Sequence, residues 1–183
     1  MRDITIDTSW TLFLDRDGVI NERLFGDYVK SVAAFQFCEG SVAAIARLSP
    51  LFGKIIIVTN QQGIGKGVMA EADLRAIHQY MLAEIHRAGG RIDAIYYCPK
   101  LAADVTNRRK PSPAMGLDAQ RDFPDIAFAK SIMVGDTTSD LQFGKNIGTF
   151  TVHIHPHATH TTHTTLADLT FPNLTTFADY LLQ

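Results

Sequence analysis

The chain of 183 residues holds little cysteine. Cys38 and Cys98 stand far apart, and two such thiols make no disulfide framework, which suits a reducing compartment. No apolar run approaches the roughly eighteen residues of a membrane-spanning helix. The N-terminus carries no apolar stretch of the secretory-signal type. Neither sign of charge is in large excess: the formal net charge is -2, so no global basic field draws the chain to nucleic acid or anionic lipid. A local basic step remains at Arg108-Arg109-Lys110. These absences predict a cytoplasmic protein with no membrane and no nucleic-acid partner; a monomer is expected rather than an oligomer. The length predicts a single domain, residues 1–183, with a core large enough to fold without staples.

Two further signals fail on their own chemistry. Gly63-Ile64-Gly65-Lys66-Gly67 is no Walker A loop, because Gly67 stands where Ser or Thr must be, and it is no dinucleotide fingerprint. Its glycines serve a tight turn beside a ligand. The five histidines from His153 to His163 are interleaved with Thr and Pro and have no accompanying carboxylate, so a polar loop is the expectation there rather than a transition-metal site.

What is present is a set of polar side chains at the ends of short apolar runs. Asp15 follows Trp10-Thr11-Leu12-Phe13-Leu14 and opens Asp15-Arg16-Asp17-Gly18; Thr59 follows Ile55-Ile56-Ile57-Val58; Asp136 follows Ile132-Met133-Val134 and precedes Asp140. Such runs read as buried strands of a parallel sheet, and ligands of open α/β sheets bind beyond the carboxyl ends of the strands. Helices are expected at 41–48 with Ser41 as cap, 71–88, 112–121, 138–146 and 174–182 with Asn173 as cap. Strands are expected near 10–14, 55–60, 92–97, 131–135 and 149–154. The alternation predicts an α/β three-layer sandwich around a central parallel sheet, with right-handed crossovers.

Converging carboxylates repel unless a cation neutralises them, and Mg²⁺, a hard ion that takes oxygen ligands, suits Asp15 and Asp136. Of two carboxylates at i and i+2, one can attack phosphorus and the other can protonate a leaving oxygen and activate water. Thr59 can donate to a phosphoryl oxygen, and Lys110 can supply a compact positive charge. Each element also has an ordinary reading, as helix cap, β-former or solvated loop charge; the specificity lies in their order along one chain.

In that order the chain resembles the haloacid dehalogenase superfamily of Mg²⁺-dependent phosphohydrolases, over nearly its whole length. Within it, Phe13 to Asn21, Thr59 to Gly67, Arg109-Lys110-Pro111 and Tyr28-Val29 with Phe35-Gln36-Phe37 are similar to the heptose 1,7-bisphosphate and histidinol-phosphate phosphatases. The resemblance implies a Rossmann-like domain without a large cap, Asp15 as nucleophile and Asp17 as general acid/base. It implies Mg²⁺ on Asp15, the Asp17 carbonyl and Asp136, with Asp140 behind them, and Thr59 and Lys110 on the phosphoryl group. A small phosphate ester, foremost a sugar phosphate of the heptose bisphosphate type, is the expected substrate. Histidinol phosphate and a nucleic-acid 3′-phosphate are the alternatives, and a phosphate-binding module without turnover is the non-enzymatic one. Segments able to read the substrate are those around Asp27 and Tyr28, the turn from Asn60 and Gln61 to Lys66, and Arg109. One departure stands out. That branch carries a zinc loop of four Cys and His ligands, and Cys98, Lys100, Thr106 and Arg108 occupy those positions here. A structural zinc needs four ligands, so none is expected and the loop must hold its shape otherwise.

Overall fold

A computed structural model describes residues 5–104, 107–158 and 165–183. Its strands are β1 (Thr11–Leu14), β2 (Lys54–Asn60), β3 (Ala94–Cys98), β4 (Ser131–Gly135), β5 (Phe150–Ile154) and β6 (Leu169–Phe171). Its helices are α1 (Ser41–Leu48), α2 (Gln62–Gly65), α3 (Glu71–Arg87), α4 (Ala114–Asp122), α5 (Thr138–Ile147) and α6 (Leu174–Leu181). The strands form one sheet in the order β3-β2-β1-β4-β5-β6, and each neighbouring pair is parallel.

Successive side chains of a strand point to opposite faces, and here each face has its own core. Leu12, Leu14, Ile55, Ile57, Ile132 and Val134 share one with residues of α1, α3 and α6, while Phe13, Ile56, Val58 and Met133 share the other with residues of α4 and α5. This is the three-layer sandwich that the alternation implies. On α3 the stripe Leu74, Ile77, Met81 and Ile85 is buried, each at 0–1% exposure. Burial of such a side chain stabilises by roughly 1.5–3 kcal/mol, so truncating one to Ala costs about 2–5 kcal/mol once the cavity is included.

The strand order matters for function. The chain runs outward from β1 through β2 to β3, then returns to place β4 on the other side of β1. The direction of winding therefore reverses at β1, where the carboxyl ends of neighbouring strands open a crevice. Leu14 pairs with Val134, and the Asp15 N–H donates to the Val134 carbonyl at 2.9 Å. Asp15 and Asp136 thereby leave the strand ends one residue apart in register, with carboxylate oxygens within 4.8 Å of each other.

Four local expectations are corrected. Gly40, at φ 71°, caps α1 in place of Ser41, whose hydroxyl instead donates to the Ile20 carbonyl at 2.8 Å and ties the stretch after β1 to the helix. The Gly-rich turn after β2 contains the short helix α2. The helix expected from 112 starts at Ala114, after Pro111 and Pro113. A sixth strand, β6, extends the sheet beyond β5. Asn173 does cap α6, its side chain accepting from the Thr176 N–H at 2.9 Å.

Candidate active site

At the carboxyl ends of β1, β2 and β4 the polar side chains meet around Lys110. Its ammonium lies 2.8 Å from Asp15 Oδ1 and 2.6 Å from Asp140 Oδ1, and donates to the Val58 carbonyl at 2.6 Å. The ammonium is thus ion-paired to two carboxylates and hydrogen-bonded to one carbonyl. Lys110 is 2% exposed, Asp15 7% and Asp140 1%. Charges this deep persist only when paired. Burial alone would lower the Lys110 pKa, but Asp140 and Asp15 outweigh it and hold the amine charged. Burial, then the adjacent Asp140 charge, pushes the Asp15 carboxyl up to about 7 against the pull of Lys110. The other oxygen of Asp140 accepts from the Thr137 N–H at 2.9 Å and the Thr137 hydroxyl at 2.5 Å, so α5 holds it from its first turn.

Asp17 is held differently. Its Oδ1 accepts from Arg16 at 2.9 Å and Asn21 at 3.0 Å, and its Oδ2 from Gln61 at 2.9 Å. Burial would raise its pKa, yet the Arg16 charge and these three donors keep it below the usual carboxylate range. Arg16 is itself 1% exposed and lies 3.4 Å from the Nε2 of His78, an imidazole held neutral with a pKa of about 4 by burial and by Arg16. Thr59, 1% exposed, accepts from Gln61 at 3.0 Å, leaving its own hydroxyl hydrogen to donate.

Asp15, Asp136 and Asp140 each bring a carboxylate oxygen within 4.8 Å of the others, and among the described residues they are the one such His, Cys, Asp or Glu group. Asp136 Oδ1 is buried without a hydrogen-bond partner among the described residues, while Oδ2 pairs with Arg23 at 2.9 Å. An orphaned buried carboxylate oxygen beside two more carboxylates fits a hard divalent cation. Gly18 makes the arrangement possible: at φ 90°, a Cβ there would lie 2.3 Å from Asp136 Oδ2.

A crevice of about 310 Å³ opens above this floor. Asp15, Asp17, Thr59, Lys110 and Asp140 line it, as do Asp27, Tyr28, Asn60, Gln61 and Arg109. Asp136 lies outside this lining, behind Arg23. Several of the expected substrate-reading groups are engaged within the protein. Gln61, 2% exposed, is occupied with Asp17 and Thr59. Asn60 clamps Lys110, accepting its N–H at 3.0 Å and donating to its carbonyl at 3.3 Å. Asp27 pairs with Lys30 at 2.9 Å, and the Tyr28 hydroxyl accepts from Gln62 at 3.0 Å beneath the Lys66 ammonium. Arg16, Asn21, Arg23 and Thr137 escaped the sequence reading.

Of the positions that correspond to a zinc loop, Thr106 lies outside the described residues, Lys100 pairs with Asp104 at 3.5 Å and Arg108 pairs with Asp118. Of the histidines, His160 and His163 lie outside the described residues, and the rings of His153, His155 and His157 succeed one another at 5.5 and 5.9 Å.

Comparison with known proteins bears on this geometry. The chain is 35% identical over 185 residues to a D-glycero-beta-D-manno-heptose-1,7-bisphosphate 7-phosphatase of Neisseria meningitidis, covering 94% of each. This chain belongs to the haloacid dehalogenase-type phosphatases. The HAD-hydrolase-like family model matches residues 107–177. Another relative within these phosphatases is a D-glycero-alpha-D-manno-heptose-1,7-bisphosphate 7-phosphatase of Mycobacterium bovis, 40% identical over 138 residues, covering 75% of this chain and 73% of that one. Among solved structures, the D,D-heptose 1,7-bisphosphate phosphatase of B. bronchiseptica, complexed with magnesium and phosphate, superposes with a TM-score of 0.84 at 31% identity, over 95% of this chain and 98% of that one. The phosphatase fold extends to the L-2-haloacid dehalogenase of Xanthobacter autotrophicus, at TM-score 0.62 and 12% identity, over 94% of this chain and 98% of that one.

Proposed function

We propose that this phosphatase hydrolyses a heptose 1,7-bisphosphate or a closely similar sugar phosphate through an aspartyl phosphate on Asp15. The observation that carries the reading is the Asp15–Lys110–Asp140 cluster, buried at the strand ends beside the unpartnered Asp136 oxygen. The Asp15 carboxylate attacks phosphorus as the ester P–O bond breaks, and Asp17 gives its proton to the departing sugar oxygen. Asp17 then takes a proton from water, whose oxygen attacks the acyl phosphate and frees inorganic phosphate and Asp15. A phosphate arriving beside Asp17 brings like charge, which raises that carboxyl's pKa and favours the protonated form the first step needs. Lys110 offsets the charge of Asp15 so that this anion can approach a phosphate dianion. Thr59 donates to a phosphoryl oxygen.

Asp15, Asp136 and the Asp17 carbonyl are the groups that would hold Mg²⁺, with Asp140 behind them; the bound ion would neutralise the transferring phosphoryl oxygens. On the rim, Arg109 and Lys66 line the crevice as cations, which suits a substrate with a second phosphate. We read the protein as a single-domain monomer of the cytoplasm. Among the described residues no helix is long and apolar enough to cross a membrane, and both cysteines are free.

The test is a Mg²⁺-supplemented panel containing both anomers of D-glycero-D-manno-heptose 1,7-bisphosphate, histidinol phosphate, a 3′-phosphorylated oligonucleotide and an aryl phosphate. The reading expects kcat/KM for a heptose bisphosphate to lead by tenfold or more, on the order expected of specific polar contacts. A lead for either alternative would replace the substrate, and no turnover of any would remove the enzyme.

A further inference from the structure

We propose that the side-chain amide of Asn107 is the tie that shapes the loop carrying Arg109 and Lys110, in place of any metal. Its consequence for substrate binding rests on the role given above to Arg109.

The loop from β3 to α4 has two arms. The first is fastened to the turn after β2: the Gln61 N–H donates to the Cys98 carbonyl at 2.8 Å, the Gly65 N–H to the Pro99 carbonyl at 2.9 Å, and the Ala102 N–H to Gln62 Oε1 at 2.9 Å. The second is fastened by Asn60 to both backbone groups of Lys110. Asn107 joins the arms. Its Oδ1 accepts from the Arg109 N–H at 2.8 Å and faces the Cys98 thiol at 3.4 Å. Its Nδ2 donates to the Leu101 carbonyl at 3.0 Å and the Ala102 carbonyl at 3.3 Å. Both donors meet acceptors and the oxygen meets donors, so the orientation of the amide is fixed by its surroundings: flipped, it would set an NH₂ against the Arg109 N–H. One neutral side chain thus makes four contacts across the loop, the job a tetrahedral ion does with four ligands.

The geometry separates the two basic residues. Lys110 has the Asn60 clamp, Val58, Asp15 and Asp140, and needs no help from Asn107. The Arg109 N–H has Asn107 as its acceptor. Asn107 is therefore a positioning residue for Arg109.

The test uses Asn107→Ala and Asn107→Asp in the whole protein, with amide hydrogen exchange at Arg109 followed by NMR. In Asn107→Ala the Arg109 amide should exchange roughly tenfold faster or more, as expected for the loss of a hydrogen bond that closes a loop. Asn107→Asp keeps the acceptor and loses both donors, so Arg109 should stay protected while the arms part. Both variants should raise KM for the preferred sugar phosphate several-fold and leave kcat on an aryl phosphate within about twofold. Dialysis of the wild type against a chelator, followed by Mg²⁺, should leave Arg109 protection unchanged. Unaltered exchange in Asn107→Ala overturns the proposal, and so does protection that a chelator removes and zinc restores. Should Asn107→Ala not fold, an unchanged KM in Asn107→Asp overturns it. The exchange measurement needs no turnover, so a wrong substrate shows as an inactive panel with the exchange result intact.

Discussion

Lys110 and Arg109 are adjacent in the chain but belong to different parts of the site. Lys110 is buried at 2% exposure, its ammonium set between two carboxylates and the Val58 carbonyl and both its backbone groups clamped by Asn60. Arg109 is half-buried on the crevice wall, its N–H tied by Asn107. The same contrast runs through the whole site. The floor is made of strand ends around the Lys110 side chain, which enters from the loop before α4, and is cross-braced from β1, β2 and α5. The rim is made of loops, and its members are held mostly by one another, as Asp27 is by Lys30 and Tyr28 by Gln62 and Lys66. On the chemistry proposed above, such a floor would recognise a phosphoryl group alone, and discrimination among esters would fall to the rim.

Changes to the floor should therefore hurt every substrate, and the largest loss should follow from Asp15. Asp15→Asn keeps the shape and removes the attacking carboxylate, so turnover should fall by about a thousandfold or more while the melting transition survives. Activity within tenfold of wild type would take the nucleophile elsewhere. Asp17→Asn should separate leaving groups: alkyl phosphates should slow by about a hundredfold, and activated aryl phosphates much less, because they need little protonation. Equal losses on both would remove Asp17 as the acid. A smaller effect concerns Asp15 and metal. Burial raises its carboxyl to about 7, so the fold binds this proton more tightly than the unfolded chain and loses that contribution to stability as pH rises from the unfolded value toward 7. A cation needs the carboxylate. Thermal stabilisation by Mg²⁺ should accordingly be larger at pH 8 than at pH 5.5, with apparent affinity weakening up to about tenfold per pH unit below 7. A pH-independent stabilisation would place the ion away from Asp15.

Floor and rim also differ in how well they can be read from sequence. Asp15, Thr59, Asp136 and Lys110 were legible because each sits at or near a signal that is local: an apolar run that ends, or a Lys before Pro. The sheet was legible for the same reason, except for β6, which has three residues and follows a Thr- and His-rich segment with no periodicity. α2 has four residues, two of them glycine, and no helix signal. Ser41 satisfied the capping pattern, yet its hydroxyl found the Ile20 carbonyl, a tertiary partner that no capping rule contains. Arg23 and His78 were illegible because their partners are set by the fold, whereas Arg16, Asn21 and Asn107 find partners a few residues away but belong to no local pattern that marks them. Arg23 meets Asp136 across 113 positions and Arg16 meets His78 across 62. Gln61 looked like a substrate contact, and only the folded chain shows its amide engaged by Asp17 and Thr59.

The division between floor and rim is tested most directly at Arg109, by the ratio of kcat/KM for the preferred sugar phosphate to kcat/KM for a small aryl phosphate. A guanidinium can bind a phosphate or two hydroxyls with two parallel donors, which a lysine at the same place cannot reproduce. In Arg109→Lys the ratio should fall by roughly tenfold or more, with the aryl phosphate nearly untouched. Parallel losses on both substrates would make Arg109 part of the floor, and an unchanged ratio with no loss on either would leave the rim without its reader; either result contradicts the account.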